Sequence, residues 1–183
     1  MKPILMIWAL AVLFPARQKA EEIPRFENFK VTAAFAGTSA APLLRTPLQR
    51  MYRTMIQQGV AKGWGVFRDA KEKVGPNFAG HYIVVQWGCG TSCVMMVIVD
   101  ALTGKIYDIP LGFGREGGQR MVLPGLGLSP AEVAFRLTSR LWKIDACPDQ
   151  PYKEHALCYS YYYLRQDNNW RLLRRVRLED NSF

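Results

Sequence analysis

Residues 75–108, GPNFAGHYIVVQWGCGTSCVMMVIVDALTGKIYD, set the expected fold. His81–Trp87 is β-rich and Val94–Asp100 mirrors it. Both runs are almost continuously apolar, as in strands covered on both faces. GCGTS between them reads as a hairpin turn of about five residues. Thr103-Gly104 makes a second turn into Lys105–Ile109, so three strands are expected to pair in order as a meander.

Upstream, Phe29, Val31, Ala33 and Phe35 alternate, which predicts a first strand ending at Gly37. Thr46 and Gln49 have capping-box spacing, and Pro47 stands where its missing N–H costs nothing. Leu48, Met51, Tyr52, Met55 and Ile56 then form one apolar stripe, predicting a helix over 46–58 with Gly59 as its stop. That stripe is expected to pack on the sheet. Residues 61–77 read as a connector, with a short strand at 64–68.

Downstream, residues 110–127 read as a long glycine-rich loop. GFGREG at 112–117 matches G-x-G-x-x-G literally. No helical pattern follows it, so no helix N-terminus waits for a pyrophosphate. Val133, Phe135 and Leu137 alternate, and Leu141–Ile144 is apolar again, which predicts two short strands. Residues 147–155 read as a polar loop. Cys158–Arg165 and Trp170–Leu178 flank Gln-Asp-Asn-Asn, a good hairpin turn. In the last strand Trp170, Leu172, Val176 and Leu178 are expected on one face, with Arg171, Arg175 and Arg177 on the other. The sum is an α+β protein: a mostly antiparallel meandering sheet with one main amphipathic helix packed on it.

The first residues have the layout of a secretory leader. Lys2 is positive and Ile4–Phe14 is an unbroken apolar run of 11 residues, too short to span a bilayer comfortably. Residues 1–20 are expected to be a signal peptide or, if uncleaved, an N-terminal anchor and the protein's membrane contact. Residues 21–183 are then one α+β domain, periplasmic or secreted. Removing 1–20 takes away Lys2, Arg17 and Lys19 and no acid, leaving 21 basic against 15 acidic residues. That balance suits an anionic envelope surface, and an exported protein is not expected to meet nucleic acid.

Four cysteines, Cys89, Cys93, Cys147 and Cys158, read first as disulfides in an oxidising compartment. They allow three pairings, and proximity favours Cys89–Cys93 with Cys147–Cys158. Intervals of three, 53 and ten residues match no familiar zinc pattern. Neither metal nor cofactor is expected.

GPNFAGHY, WGCGTSC, DALTGKIYD and the late YYYLRQDNNWRLL together resemble a group of exported bacterial proteins that pair N-F-A-G-H-Y with W-G-C-G-x-x-C and D-A-x-T-G-x-V-Y. Ile106 stands where that pattern has Val, and Cys147 and Cys158 are outside it. The resemblance implies an envelope or secreted location and no particular reaction.

Two kinds of chemistry compete. Cys89 or Cys93 as nucleophile with His81 as base would make a thiol hydrolase. At about 3.3 Å per residue, eight residues of straight strand put His81 roughly 25 Å from Cys89, so the dyad needs a bend at Gly88. Thiol–disulfide exchange lacks the C-x-x-C at a helix N-terminus that lowers an attacking thiol's pKa. The second kind is binding. Trp87 beside a stapled loop, with Arg115 and Arg120, would suit an acidic envelope protein or a glycan. Arg171, Arg174, Arg175 and Arg177 read as a solvated strand face. Tyr159 and Tyr161–Tyr163 read as packing. The expected function is a non-enzymatic binding or structural role in the envelope.

Overall fold

The computed structural model describes residues 22–63, 74–90, 93–110, 120–122, 133–146 and 157–178; Cys89, Gly90, Cys93, Val94 and 120–122 are described as backbone only. The architecture is α+β, built as a helix layer on a first antiparallel sheet, which packs in turn on a second.

The first sheet is the expected meander. β1 (Tyr82–Gly90) pairs antiparallel with β2 (Cys93–Asp100), and β2 pairs with β3 (Ile106–Tyr107). β4 (Arg120–Val122) also pairs with β2, beside its Cys93–Met95 end. Because side chains alternate along a strand, β1 and β2 present two faces. Tyr82, Val84, Met96 and Ile98 enter the core shared with the second sheet. Ile83, Val85, Trp87, Met95, Val97 and Val99 face the helix layer. Cover on both sides explains the nearly unbroken apolar runs.

The turn motifs are structural. Asn77 acts as a side-chain strand: its Oδ1 accepts from Val84 N at 2.8 Å, and its Nδ2 donates to Val84 O. Phe78 is a fully buried plug whose ring meets Trp142 edge-on at 5.3 Å. Ala79 and Gly80 turn the chain at positive φ, and their N–H groups donate to the carbonyls of Arg136 and Leu137. A Cβ at Gly80 would stand 2.8 Å from Ala33 O. At the next corner Asp100 accepts from Leu102 N and Thr103 Oγ1, both at 2.8 Å. Each side chain closes a turn by satisfying local backbone donors.

The second sheet runs β5 (Val133–Phe135), β6 (Leu141–Ala146), β7 (Tyr159–Gln166), β8 (Asn169–Arg177), all antiparallel and in sequence order. Trp142, Ile144, Ala146 and Tyr161 supply its side of the shared core, with Phe135, Tyr159, Tyr163 and Trp170 packed around them. So the chain forms two sheets where one was expected.

Three further expectations are corrected. Residues 29–35 form no strand. Phe26–Phe29 is a 3-10 turn; beyond it Lys30 forms one isolated antiparallel bridge to Ser139, with Val31 N donating to Thr138 O and Arg140 N to Phe29 O, and Phe35 N donates to Gly80 O. The alternation was real, since Val31 packs on one core and Phe35 on the other. Second, the expected helix is two: α1 (Pro47–Met51) and α2 (Arg53–Lys62), which ends at Gly63 in the left-handed conformation. Gly59 lies inside α2, against β1. Third, the last strand does not keep one alternation. An irregularity opposite Tyr162/Tyr163 shifts the register, so Arg175 and Arg177, and not Val176, share the face of Trp170 and Leu172. The strand at 64–68, the 112–117 segment and the 147–155 loop lie outside the described residues.

Candidate binding cleft

The helix layer begins with a complete cap. Gln49 N donates to Thr46 Oγ1, while Gln49 Oε1 accepts from the backbone N–H groups of Arg45 and Thr46. α1 breaks at Tyr52, whose φ of −97° and ψ of 21° lie outside helical geometry. The break turns the Tyr52 ring onto Trp87, with centroids 5.3 Å apart and planes tilted by 43°. α2 then lies close on β1, because Gly59 carries no Cβ where Val85 Cγ1 would be 2.2 Å away.

Between α1, the start of α2 and strands β2 and β3 this leaves a cleft of about 250 Å³. Leu48, Tyr52, Ile56, Trp87, Met95 and Ile106 supply apolar lining, and Arg45, Thr46, Gln49, Lys105 and Asp108 add polar groups. That composition, mostly apolar with a few polar groups, is typical of small-molecule sites, though the volume is just below their usual range of roughly 300–1,000 Å³. Trp87 is 2% exposed, and its Nε1 has no hydrogen-bond acceptor. Burial without a counter-charge raises the Asp108 carboxyl above its usual range.

A second cluster sits on the other face of the first sheet. Arg165 is 2% exposed, and its guanidinium carbon lies 4.4 Å from the Tyr107 ring centre, 5.0 Å from Tyr82 and 5.2 Å from Trp170. Its Nε and one terminal nitrogen have no hydrogen-bond partner. Three π faces stand where a carboxylate usually would. The box is latched to the β7–β8 turn: Tyr82 Oη donates to Asp167 O, and Tyr107 Oη donates to Asn168 Oδ1. Burial raises the Tyr82 phenol above its ordinary pKa, with Arg165 opposing the shift.

The candidate catalytic residues are not brought together. His81 precedes β1, its ring 4.1 Å from that of Tyr82 and its Nε2 3.9 Å from Asp100 Oδ1. Cys89 is the eighth residue of β1, and Cys93 opens β2 at the far end of the hairpin. The register irregularity between Gly88 and Gly90 is at that far end, too late to return Cys89 to His81. At about 3.3 Å per residue the separation stays on the order of 25 Å. Cys158 is buried and disulfide-bonded. The side chains of Cys89, Cys93 and Cys147 also lie outside them, as do Arg115 and the side chain of Arg120. Trp87 is inside the helix-side core and lines the cleft; it does not present a surface at a loop tip.

Sequence reasoning missed the Asp100 carboxylate beside His81. Pairing outward from the hairpin turn would have found it, since the register puts Tyr82 opposite Asp100. It also missed the Arg165 box, whose rings come from three separate stretches. Among the described residues no group of three or more His, Cys, Asp or Glu side chains is placed to hold a metal, and no helix is long and apolar enough to cross a membrane.

No protein-family model, curated protein or solved structure matches this chain.

Proposed function

We propose that this is an exported envelope protein with a non-enzymatic binding role, and that its ligand site is the cleft between α1 and strands β2 and β3. The observation carrying this reading is the cleft itself: about 250 Å³, with apolar walls from Leu48, Tyr52, Ile56, Trp87, Met95 and Ile106 and with Arg45 and Lys105 among its polar groups. A bound molecule that covers these walls removes apolar surface from water, which favours its binding. The separation of His81 from Cys89 and Cys93 favours binding over thiol chemistry.

Export rests on the leader-like residues 1–20 and on the even number of cysteines. Bridges Cys89–Cys93 and Cys147–Cys158 complete the proposal, and the bonded state of Cys158 supports the second. Acidic envelope proteins and glycans remain the proposed macromolecular partners, through the segments carrying Arg115 and Arg120.

Two measurements test it. The full chain, expressed in bacteria, should be recovered by osmotic shock or from the medium with no alkylatable thiol under non-reducing conditions. A ¹H–¹⁵N spectrum of the purified protein, titrated with a small-molecule library, should show saturable shifts of the Trp87 indole resonance. Retention in the cytoplasm with free thiols would remove the export reading. An indole resonance that no compound moves would remove the cleft.

A further inference from the structure

The chemistry of the lining narrows the ligand class; this step rests on the cleft being a binding site. The walls are apolar and aromatic, from Leu48, Tyr52, Ile56, Trp87, Met95 and Ile106. Among the side-chain polar groups the cleft has donors to spare. Trp87 contributes its ring to the wall, and its indole N–H is closed off from solvent. The Gln49 Oε1 acceptor is already taken by two backbone N–H groups of the cap. Two cations line the cleft, Arg45 and Lys105, and neither has a carboxylate within salt-bridge range. The Lys105 ammonium instead stands 4.9 Å from the Tyr107 ring centre. The one carboxylate in the lining is Asp108, so positive groups outnumber it two to one.

We infer that the cleft takes a small organic acid with an apolar body. The body lies along Tyr52 and Trp87, where an aromatic ring or a short alkyl chain displaces water from apolar surface. The anionic head lies toward the mouth at Arg45, a guanidinium suited to a planar carboxylate. A neutral molecule would gain nothing from Arg45 or Lys105, and a cationic one would be repelled by both.

The experiment uses the full chain and defined probes: phenylacetate, 2-naphthoate and octanoate, each beside its uncharged primary amide. Affinity is measured by calorimetry, and location by the Trp87 indole resonance, assigned with Trp87→Phe. At least one acid is expected to bind saturably, move that resonance, and bind about tenfold more tightly than its amide. Arg45 is exposed, so Arg45→Gln should fold normally, weaken the acid about tenfold and leave the amide unchanged. An amide that binds as well as its acid, or an Arg45→Gln variant with unaltered acid affinity, overturns the anion assignment while leaving the cleft as a site. If neither acids nor amides move the Trp87 resonance, the binding reading falls with it.

Discussion

Gly59→Ala is expected to destabilise the protein, although alanine is the better helix former. In an exposed helix interior the exchange would gain about 1 kcal/mol. Here the new Cβ would stand 2.2 Å from Val85 Cγ1 and 3.0 Å from Cγ2. Carbon atoms rest at about 3.5–4.0 Å, so the overlap with the nearer methyl exceeds an ångström. Val85 cannot swing clear, because it is 1% exposed within the helix-side core. Overpacking of this kind costs about 1–3 kcal/mol, with more when backbone must shift, so a net loss of about 1–2 kcal/mol is expected. Val85→Ala alone removes two methyl groups, about 0.8 kcal/mol each in transfer, and adds a cavity term, for a loss of about 2–3 kcal/mol. In the double variant the new methyl enters the space vacated by valine. Its loss should therefore fall short of the sum of the two single losses by about 1–2 kcal/mol, the coupling expected of residues in contact. Urea unfolding of the four proteins measures this directly. If Gly59→Ala equals or exceeds the parent, or if the losses simply add, then α2 does not lie on β1 as described. The same variant should weaken ligand binding, since α2 carries Ile56 and follows directly from Tyr52.

Three other outcomes are expected. Arg165→Lys keeps the charge but loses the planar group held among Tyr82, Tyr107 and Trp170. It should cost about 1–2 kcal/mol in denaturant unfolding, and unchanged stability would mean the rings do not hold the guanidinium. Asn77→Ala removes both bonds to Val84; it should cost about 1–3 kcal/mol and speed exchange of the Val84 amide. Asp108 has a raised pKa in the folded protein, so the folded form binds its proton more tightly than the unfolded chain, and stability rises as pH falls through that pKa. Asp108→Asn should therefore raise the melting temperature at neutral pH, with the gain disappearing in acid; a gain that persists in acid would argue against burial as the cause.

The central hairpin was legible because its residues meet the same demand along its whole length. From Tyr82 to Trp87 and from Met95 to Val99 both faces are buried, and an almost continuous apolar run is the direct record of that. The turns at Gly104 and at Asp167–Asn168 were legible too, since their conformations favour particular residues. What failed was whatever depends on a distant neighbour. Alternation over residues 29–35 reported correctly that Val31 and Phe35 face apolar surroundings, but not that strand pairing stops at the single bridge of Lys30 to Ser139. A glycine can end a helix or admit a neighbouring strand, and only Val85 decides between them at position 59. The shifted register in β8 leaves no local mark, so alternation carried through it assigned Val176 to the wrong face. The cleft depends on the break at Tyr52, which no proline or glycine announces, and on a strand some 35 residues later. Asn77 reads as a turn former, and nothing near it shows that its amide substitutes for a strand.

The two-sided burial of the β1–β2 hairpin has a consequence for how the molecule comes apart. Helices rest on one side of it and the second sheet on the other, so it is the partition wall to which both outer layers are fixed. Neither outer layer has another large apolar surface among the described residues to rest on. Peeling away one layer leaves the wall bare on that side and weakens its hold on the other. Amides of Ile83–Val85 and Val97–Val99 should therefore be the last in the molecule to exchange with solvent, at rates set by whole-molecule opening rather than by local fraying.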